Sequence, residues 1–322
     1  MADYIDIKGG TVQNVAGDPP APIAGQVWYD STAVAFQYRS SNPAGSWATT
    51  NALNTARDQV AGAGSTTSGL VFGENFGGET ESFNGTNWTA VNALNNSRRG
   101  TAGAGASNTA ALAFGGNLAS PSPNAAADET ETWNGTCWTE VNDLNQARHF
   151  AAGTGTNTAA LSIGGGTGSG GNPPLTGETE SWNGTSWTEV NDLTTARSAL
   201  GASGTTTSAL AFGGGWPAKD ETELYNGTSW TEQGDLASGR NGCGGAGADS
   251  TAALVFGGPS SSVLTELWNG TSWAAQNVLN SGRAYLGSSK GSSTAALAMG
   301  GGDSTASEEW TAPTETSETI TD

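Results

Sequence analysis

The sequence predicts an all-β protein built as one closed array of six repeats. One unit of about 40–50 residues recurs along most of the 322-residue chain. Forty-nine glycines, few charged residues and long Ala/Thr/Ser/Gly tracts are poor material for helices, and no stretch sustains an apolar period of 3.6 residues. A length that would otherwise suggest two domains is better explained by repetition of one structural unit.

Three columns of residues align the repeats. A tryptophan occurs once per repeat, an arginine follows it by ten residues in all six cases, and a glutamate precedes the next tryptophan by seven. A glycine, usually the first of a pair such as Gly213–Gly214, follows each arginine by 16 or 17 residues. Only the connection from this glycine to the next glutamate varies widely in length, which is typical of a fixed scaffold with one variable class of loop. The columns are Trp47, Trp88, Trp138, Trp187, Trp230 and Trp273; Arg57, Arg98, Arg148, Arg197, Arg240 and Arg283; and Glu81, Glu131, Glu180, Glu223 and Glu266.

Four strands are predicted in each unit. The Gly/Ala-rich segment after the arginine, such as RSALGASG, suits an inner strand crowded against its copies. The next segment, such as TSALAFGG, is apolar on both sides, as expected for a strand between neighbouring sheets. A TESW-type strand, an Asn-Gly turn and the tryptophan strand then form a tight hairpin.

The chain begins and ends outside this pattern. Residues 1–26 are predicted to be an N-terminal arm and linker, residues 27–312 the repeat domain and residues 313–322 a C-terminal tail. Within the second range, GQVWYD and AVAFQYR form a predicted hairpin. The last unit ends at Trp310 without an NGTxW segment, so we expect the unpaired strand around Trp47 to complete it.

The combined pattern R…GG…(W/Y/F)NG…W resembles the kelch repeat over residues 34–310. This resemblance implies a six-bladed kelch-like β-propeller whose last blade is closed by an N-terminal strand and which is preceded by a short N-terminal arm. The opening GQVWYD…GSW and the ending EEWTAPTETSETITD also look like virion structural proteins of tailed bacteriophages, especially those of marine phages. That second resemblance implies a tail-fibre, decoration or receptor-binding component.

Composition and charge narrow the partners. The net charge of −19 repels nucleic acid and anionic membrane surfaces. The start lacks a signal peptide and no stretch of about 18 apolar residues exists, so we expect no membrane insertion and assembly into a virion within the host cytoplasm. The expected partners are other virion proteins, through the N-terminal arm, and a host-surface glycan or protein.

Catalytic chemistry is not predicted. The chain has one histidine, His149, so a copper radical site with two histidine ligands cannot be built, and no nucleophile-elbow motif supports a Ser/His/Asp triad. A sialidase-like site needs an arginine cluster, but an arginine repeated once per blade is more simply explained by the scaffold. We therefore expect no enzyme activity, no cofactor and no metal, with a free-standing glycan-binding, lectin-like propeller as the alternative to a virion component.

Two features are candidates for ligand binding. The six arginines of the column concentrate the positive charge of an acidic protein at the start of the inner strands, where they could contact a ligand. The alternative is that each arginine pairs with a residue of the glutamate column or with backbone carbonyls. Trp216, in a variable loop, has no counterpart in the other repeats. It either offers an exposed indole for stacking or folds over its own loop. We expect it at the rim of a face that also carries the enlarged loops 117–130 and 166–179.

Overall fold

The computed structural model describes residues 13–17, 19, 26–41, 44–74, 77–119, 125–168, 174–313 and 315–320. The chain forms two compact units, one of residues 46–311 and one that joins residues 1–45 to residues 312–322. This division differs from the predicted one. The hairpin after residue 26 belongs to the smaller unit, because its second strand pairs with the C-terminal strand.

The smaller unit contains a four-stranded sheet. Strand β1 (Gln13–Val15) is parallel to β2 (Val27–Asp30), which forms the predicted antiparallel hairpin with β3 (Ala35–Ser41), and β3 pairs with β30 (Glu315–Thr319). Asp30 Oδ1 accepts the N–H groups of Thr32 and Ala33 at 2.7 and 3.1 Å and so fixes the turn. Most of the predicted arm, residues 1–12, 18 and 20–25, lies outside the described residues.

The larger unit contains six four-stranded antiparallel sheets in its described part, each in the predicted strand order. The inner strands are β5 (Ala61–Ser65), β10 (Ala102–Ser107), β15 (Ala152–Gly155), β19 (Gly201–Gly204), β23 (Gly244–Asp249) and β27 (Gly287–Ser288). The second strands are β6 (Ser68–Phe72), β11 (Ala110–Phe114), β16 (Ala160–Gly166), β20 (Ala209–Phe212), β24 (Ala252–Phe256) and β28 (Ala295–Met299).

The remaining strands form the hairpins that carry the aromatic columns. The third strands are β7 (Thr80–Phe83), β13 (Thr130–Trp133), β17 (Leu175–Trp182), β21 (Thr222–Tyr225), β25 (Thr265–Trp268) and β29 (Ser307–Thr311). The outer strands are β8 (Trp88–Val91), β14 (Trp138–Val141), β18 (Trp187–Val190), β22 (Trp230–Glu232), β26 (Trp273–Ala275) and β4 (Ser46–Thr49). A two-stranded pair, β9 (Arg98–Arg99) with β12 (Asn117–Leu118), and a 3-10 turn at Pro259–Ser261 lie outside these sheets.

Strand β4 comes from the beginning of the larger unit but is the outer strand of its last sheet. It pairs antiparallel with β29, and Trp47 lies opposite Trp310. This is the position that the repeat pattern predicts for the Trp47 strand. The inner strands contact one another in chain order from β5 to β27, and β27 contacts β5.

Neighbouring sheets are joined by the aromatic columns. The phenylalanine that ends a second strand packs against the tryptophan of the next sheet, as in Phe72–Trp138 and Phe114–Trp187, with ring centroids 4.9 and 4.8 Å apart. The same indole donates its N–H back to the preceding sheet, from Trp138 to Thr80 Oγ1 at 3.0 Å. Four of the six column rings bury apolar area in this way while the indole N–H finds a partner, whereas Trp88 and Trp230 bury Nε1 without one.

Glycine permits the close approach of the inner strands. A Cβ atom at Gly103 would lie 2.8 Å from the carbonyl oxygen of Gly62 on the neighbouring inner strand. The Gly/Ala-rich segments that follow each arginine are therefore required by backbone packing around the centre of the unit.

Candidate functional site

The six arginines of the column lie in the connections that lead into the inner strands, and they are at most 2% exposed. Each guanidinium forms an ion pair with a glutamate on the third strand of the sheet that it enters. The N–O distances are 2.9 Å for Arg57–Glu81, 2.8 Å for Arg98–Glu131, 2.6 Å for Arg148–Glu180, 2.8 Å for Arg197–Glu223 and 2.7 Å for Arg283–Glu308, and Arg240 pairs with Glu266 in the same way.

These guanidinium groups are also hydrogen-bonded to the backbone. Arg197 Nη1 donates to the carbonyl oxygens of Gly213 at 3.0 Å and Glu221 at 2.7 Å. A buried charge is tolerated when it is both paired and hydrogen-bonded, and both conditions are met. The geometry does not support the predicted ligand contacts of the arginines, because their side chains have no surface to offer. It matches instead the alternative prediction, in which each arginine pairs with a glutamate.

A ring of backbone hydrogen bonds lies two residues after the arginines. At this position the backbone is left-handed in every repeat, with φ between 52° and 60°. Each N–H in the ring donates to the carbonyl of the preceding repeat, and Val60 N closes the ring on Tyr285 O at 3.2 Å. The six positions are Gln59, Gly100, Phe150, Ala199, Gly242 and Tyr285.

Two members of this ring are large aromatic residues in a conformation that favours glycine. Phe150 has a φ of 52° and Tyr285 a φ of 53°. The left-handed conformation costs roughly 1–2 kcal/mol for such residues. They occupy the third and sixth of six positions, and their rings meet with centroids 5.5 Å apart. Backbone strain of this kind clusters at functional sites, so the pair marks a candidate site.

Glycines elsewhere in the ring make room for these side chains. A Cβ at Gly100 would lie 2.7 Å from Phe150 Cε1, and one at Gly242 would lie 3.1 Å from Tyr285 Cδ1. The column Gln, Gly, Phe, Ala, Gly, Tyr therefore alternates only in part: a glycine directly precedes each aromatic residue, for a reason of packing. Sequence analysis missed Phe150 and Tyr285, although this alternation was a signal that could have found them.

The aromatic pair lines a cavity of about 80 Å³ between the inner strands, which we call the central cavity. Its wall is mostly glycine, alanine and leucine from all six inner strands and the residues that lead into them. Polar side chains on the wall are Gln59, Thr101, Cys243, Ser288 and Lys290. The cavity therefore combines small apolar side chains with a few polar groups, a mixture that can hold a small ligand.

Trp216 lies beside the aromatic pair. Its ring is 47% exposed and its centroid is 6.5 Å from that of Phe150, which belongs to another repeat. The adjacent Gly215 is held on both sides, because its N–H donates to Ser198 O and its carbonyl accepts Asn241 Nδ2, each at 2.7 Å. The indole is thus presented from an anchored loop. We call Phe150, Trp216 and Tyr285 the aromatic cluster.

The enlarged loops lie at the same end of the sheets as the arginine connections. Strand β12, at the start of loop 117–130, pairs with β9, which contains Arg98. Gly166, at the start of loop 166–179, forms a bridge with His149 next to Arg148. Residues 120–124 and 169–173 of these loops lie outside the described residues.

His149 is a buried residue that packs against its neighbours. It is 3% exposed and lies against Phe150, with ring centroids 5.3 Å apart. Burial lowers its pKa from 6.5, so the imidazole is neutral at pH 7. Within the described ranges, no three His, Cys, Asp or Glu side chains are close enough to hold a metal ion. No helix in that part of the chain is long and apolar enough to cross a membrane.

Comparison with solved structures supports the architecture. The structure of YjhT superposes with a TM-score of 0.65 over 83% of this chain and 96% of that one, at 13% sequence identity. The fold is a β-propeller. At this identity the likeness shows the fold alone. No protein-family model matches the sequence, and the comparison with curated proteins finds no match.

Proposed function

We propose that the chain is a six-bladed kelch-like propeller that acts as a non-enzymatic binding component of a tailed-phage virion. In this proposal each four-stranded sheet of the larger unit is one blade, and β4 closes the last blade. The aromatic cluster contacts a glycan or protein on the host surface. Tail fibre, decoration protein and receptor-binding protein are the roles that fit such a component.

The observation that carries the proposal is the aromatic cluster. Three large rings lie together, two of them on the wall of the central cavity, and none of them belongs to the aromatic columns that join the sheets. Two of them are held in a strained backbone conformation, and the third is half-exposed on an anchored loop. The left-handed backbone is common to all six ring positions, but large aromatic side chains occur at only two of them, and such rings suit stacking on a sugar or another planar group.

The virion assignment rests on the sequence. The opening and closing segments resemble those of tailed-phage structural proteins, and the net charge of −19 argues against nucleic acid as a partner. Other virion proteins are the proposed partners of the N-terminal arm, whose residues 1–12 lie outside the described residues.

Non-enzymatic action is part of the same proposal. A sialidase-like centre needs arginines that face the substrate, and the six arginines of the column are instead buried against glutamates. The alternative is a free-standing, lectin-like propeller that uses the same cluster. It differs from the virion component in where the protein is found.

Two measurements test the proposal. Mass spectrometry of purified virions is expected to detect the chain as a stoichiometric component, and its absence would favour the free-standing lectin. Purified protein is expected to bind host cells, and Trp216→Ala to weaken that binding about 5- to 30-fold, the equivalent of about 1–2 kcal/mol of stacking. Val278→Ala is the matched control, because Val278 is also 47% exposed and lies outside the cluster. Equal loss in both variants, or release of products from host glycans by the wild-type protein, would contradict the proposal.

A further inference from the structure

Lys290 departs from the repeat pattern inside the central cavity. It lies seven residues after its arginine, and the other five repeats have glycine at that position. The five glycines are Gly64, Gly105, Gly155, Gly204 and Gly247. Two residues earlier, at the end of strand β27, Ser288 replaces the glycine or alanine of the other repeats. One repeat has therefore gained a polar pair at the end of its inner strand, and the two side chains are in contact.

The Lys290 ammonium has no carboxylate partner in the described part of the chain. It donates a hydrogen bond to Ser288 Oγ at 3.2 Å, and the side chain is half-buried in the cavity wall. In the same unit, all six buried arginines are each paired with a glutamate. Lys290 is thus a partly desolvated cation that this otherwise acidic protein leaves without a counter-charge.

Hydrogen-bonding capacity remains at this point. Ser288 Oγ accepts from Lys290 Nζ and from Gly245 N, at 3.2 and 3.4 Å, so its own proton is free to be donated. An ammonium carries three N–H donors, of which Ser288 occupies one. Lysine and serine donors therefore converge on a cavity whose lining residues include no other charged side chain.

We infer that the central cavity binds a small anion that bears a carboxylate, sulfate or phosphate group, held by the Lys290 ammonium and the Ser288 hydroxyl. This goes beyond the proposed host binding and stands or fails separately from it. Charge-assisted hydrogen bonds to such oxygens are stronger than neutral ones. The partial burial of Lys290 strengthens the attraction.

The site has a defined pH range. Desolvation lowers the pKa of Lys290 to about 8. The titratable side chains that share the cavity wall are Cys243 and Tyr285; burial raises the pKa of Cys243 to about 11 and also raises that of Tyr285. Both are neutral while Lys290 is charged. Anion binding is therefore expected to be complete below about pH 8 and to be lost as the pH rises through that value.

The test uses the small number of lysines. The chain has three, Lys8, Lys219 and Lys290, so ¹³C-lysine labelling of the full-length protein gives three sets of side-chain signals. Acetate, sulfate and inorganic phosphate are titrated separately at constant ionic strength. We expect a saturable shift of the Lys290 signal and an increase of its pKa by about one unit or more at saturation. Lys219, which pairs with Glu221 at 2.7 Å, is the internal control.

The variants keep the inference falsifiable. Lys290→Gly restores the residue of the other five repeats and is expected to fold, to identify the Lys290 signal and to abolish anion-dependent thermal stabilisation. Lys290→Arg retains the positive charge and is expected to retain the anion-dependent thermal stabilisation. A response to acetate alone identifies a carboxylate site, and a response to sulfate and phosphate identifies a tetrahedral oxyanion site. The inference is overturned if none of the three shifts Lys290 more than Lys219, or if Lys290→Gly is stabilised as much as the wild type.

Discussion

Replacing Arg197 by methionine tests whether the arginine column is structural. The change keeps most of the aliphatic stem and removes a guanidinium that is 0% exposed. It leaves Glu223 buried without its 2.8 Å ion pair and leaves the carbonyls of Gly213 and Glu221 without a donor. Removing one partner of a buried pair costs about 3–5 kcal/mol. For a unit of this size that corresponds to a fall in Tm of roughly 10 °C.

The assay is thermal and denaturant unfolding, followed by near-UV circular dichroism. Lys219→Gln is the control, because the Lys219–Glu221 pair is half-exposed and such pairs contribute only about 0–1 kcal/mol. Adding Glu223→Leu to the Arg197 variant is expected to recover part of the loss. Recovery is incomplete because Glu223 Oε2 also accepts the N–H of Thr194 at 2.7 Å. If Arg197→Met melts with the wild type but loses ligand binding, the arginine faces the ligand and the structural explanation fails.

Three further predictions concern the tryptophans, one carboxyl pair and the strained ring. Trp187→Ala is expected to cost about 3–5 kcal/mol in denaturant unfolding, since the ring is buried between sheets, whereas Trp216→Ala is expected to leave the Tm unchanged; equal losses would place Trp216 in the core. Desolvation and a hydrogen bond with Glu79 raise the pKa of Glu74 from 4.5 to about 7, so the stability of the fold decreases as the pH rises from 4.5 to about 7. Glu74→Gln is therefore expected to raise the Tm at pH 8 but not at pH 4, and an effect that does not depend on pH would refute this. Tyr285→Gly relieves roughly 1–2 kcal/mol of backbone strain but loses the contacts of the ring. The free energy of unfolding is therefore expected to change by no more than about 1 kcal/mol while host-cell binding weakens, and a decrease of about 3 kcal/mol or more would make Tyr285 a core residue.

The repeat columns predict strand order well because each column has a local cause. Asn-Gly specifies a two-residue turn, and the glycines after each arginine are required where inner strands touch. The pairing of Trp47 with Trp310 was also predictable, since the final unit has no tryptophan strand of its own. Each inference depends on a few neighbouring residues.

The candidate site depends on contacts that such columns do not contain. Arg57 and Glu81 are 24 residues apart, and only the register of the sheet shows that their side chains meet. Phe150 and Tyr285 meet because the third and sixth repeats face each other, a relation set by the ring as a whole. Aligning repeats also draws attention to residues that recur, whereas the aromatic cluster and Lys290 are departures from the pattern.

Hydroxyl-radical footprinting of the protein on host cells tests the proposed binding face most directly. We predict that Trp216, Phe150 and Tyr285 react less with hydroxyl radicals when host cells are present. Val34 and Phe36 of the smaller unit, which are 72% and 49% exposed, are predicted to stay reactive. Protection of Val34 and Phe36, with the aromatic cluster still fully reactive, would show that binding takes place elsewhere on the protein.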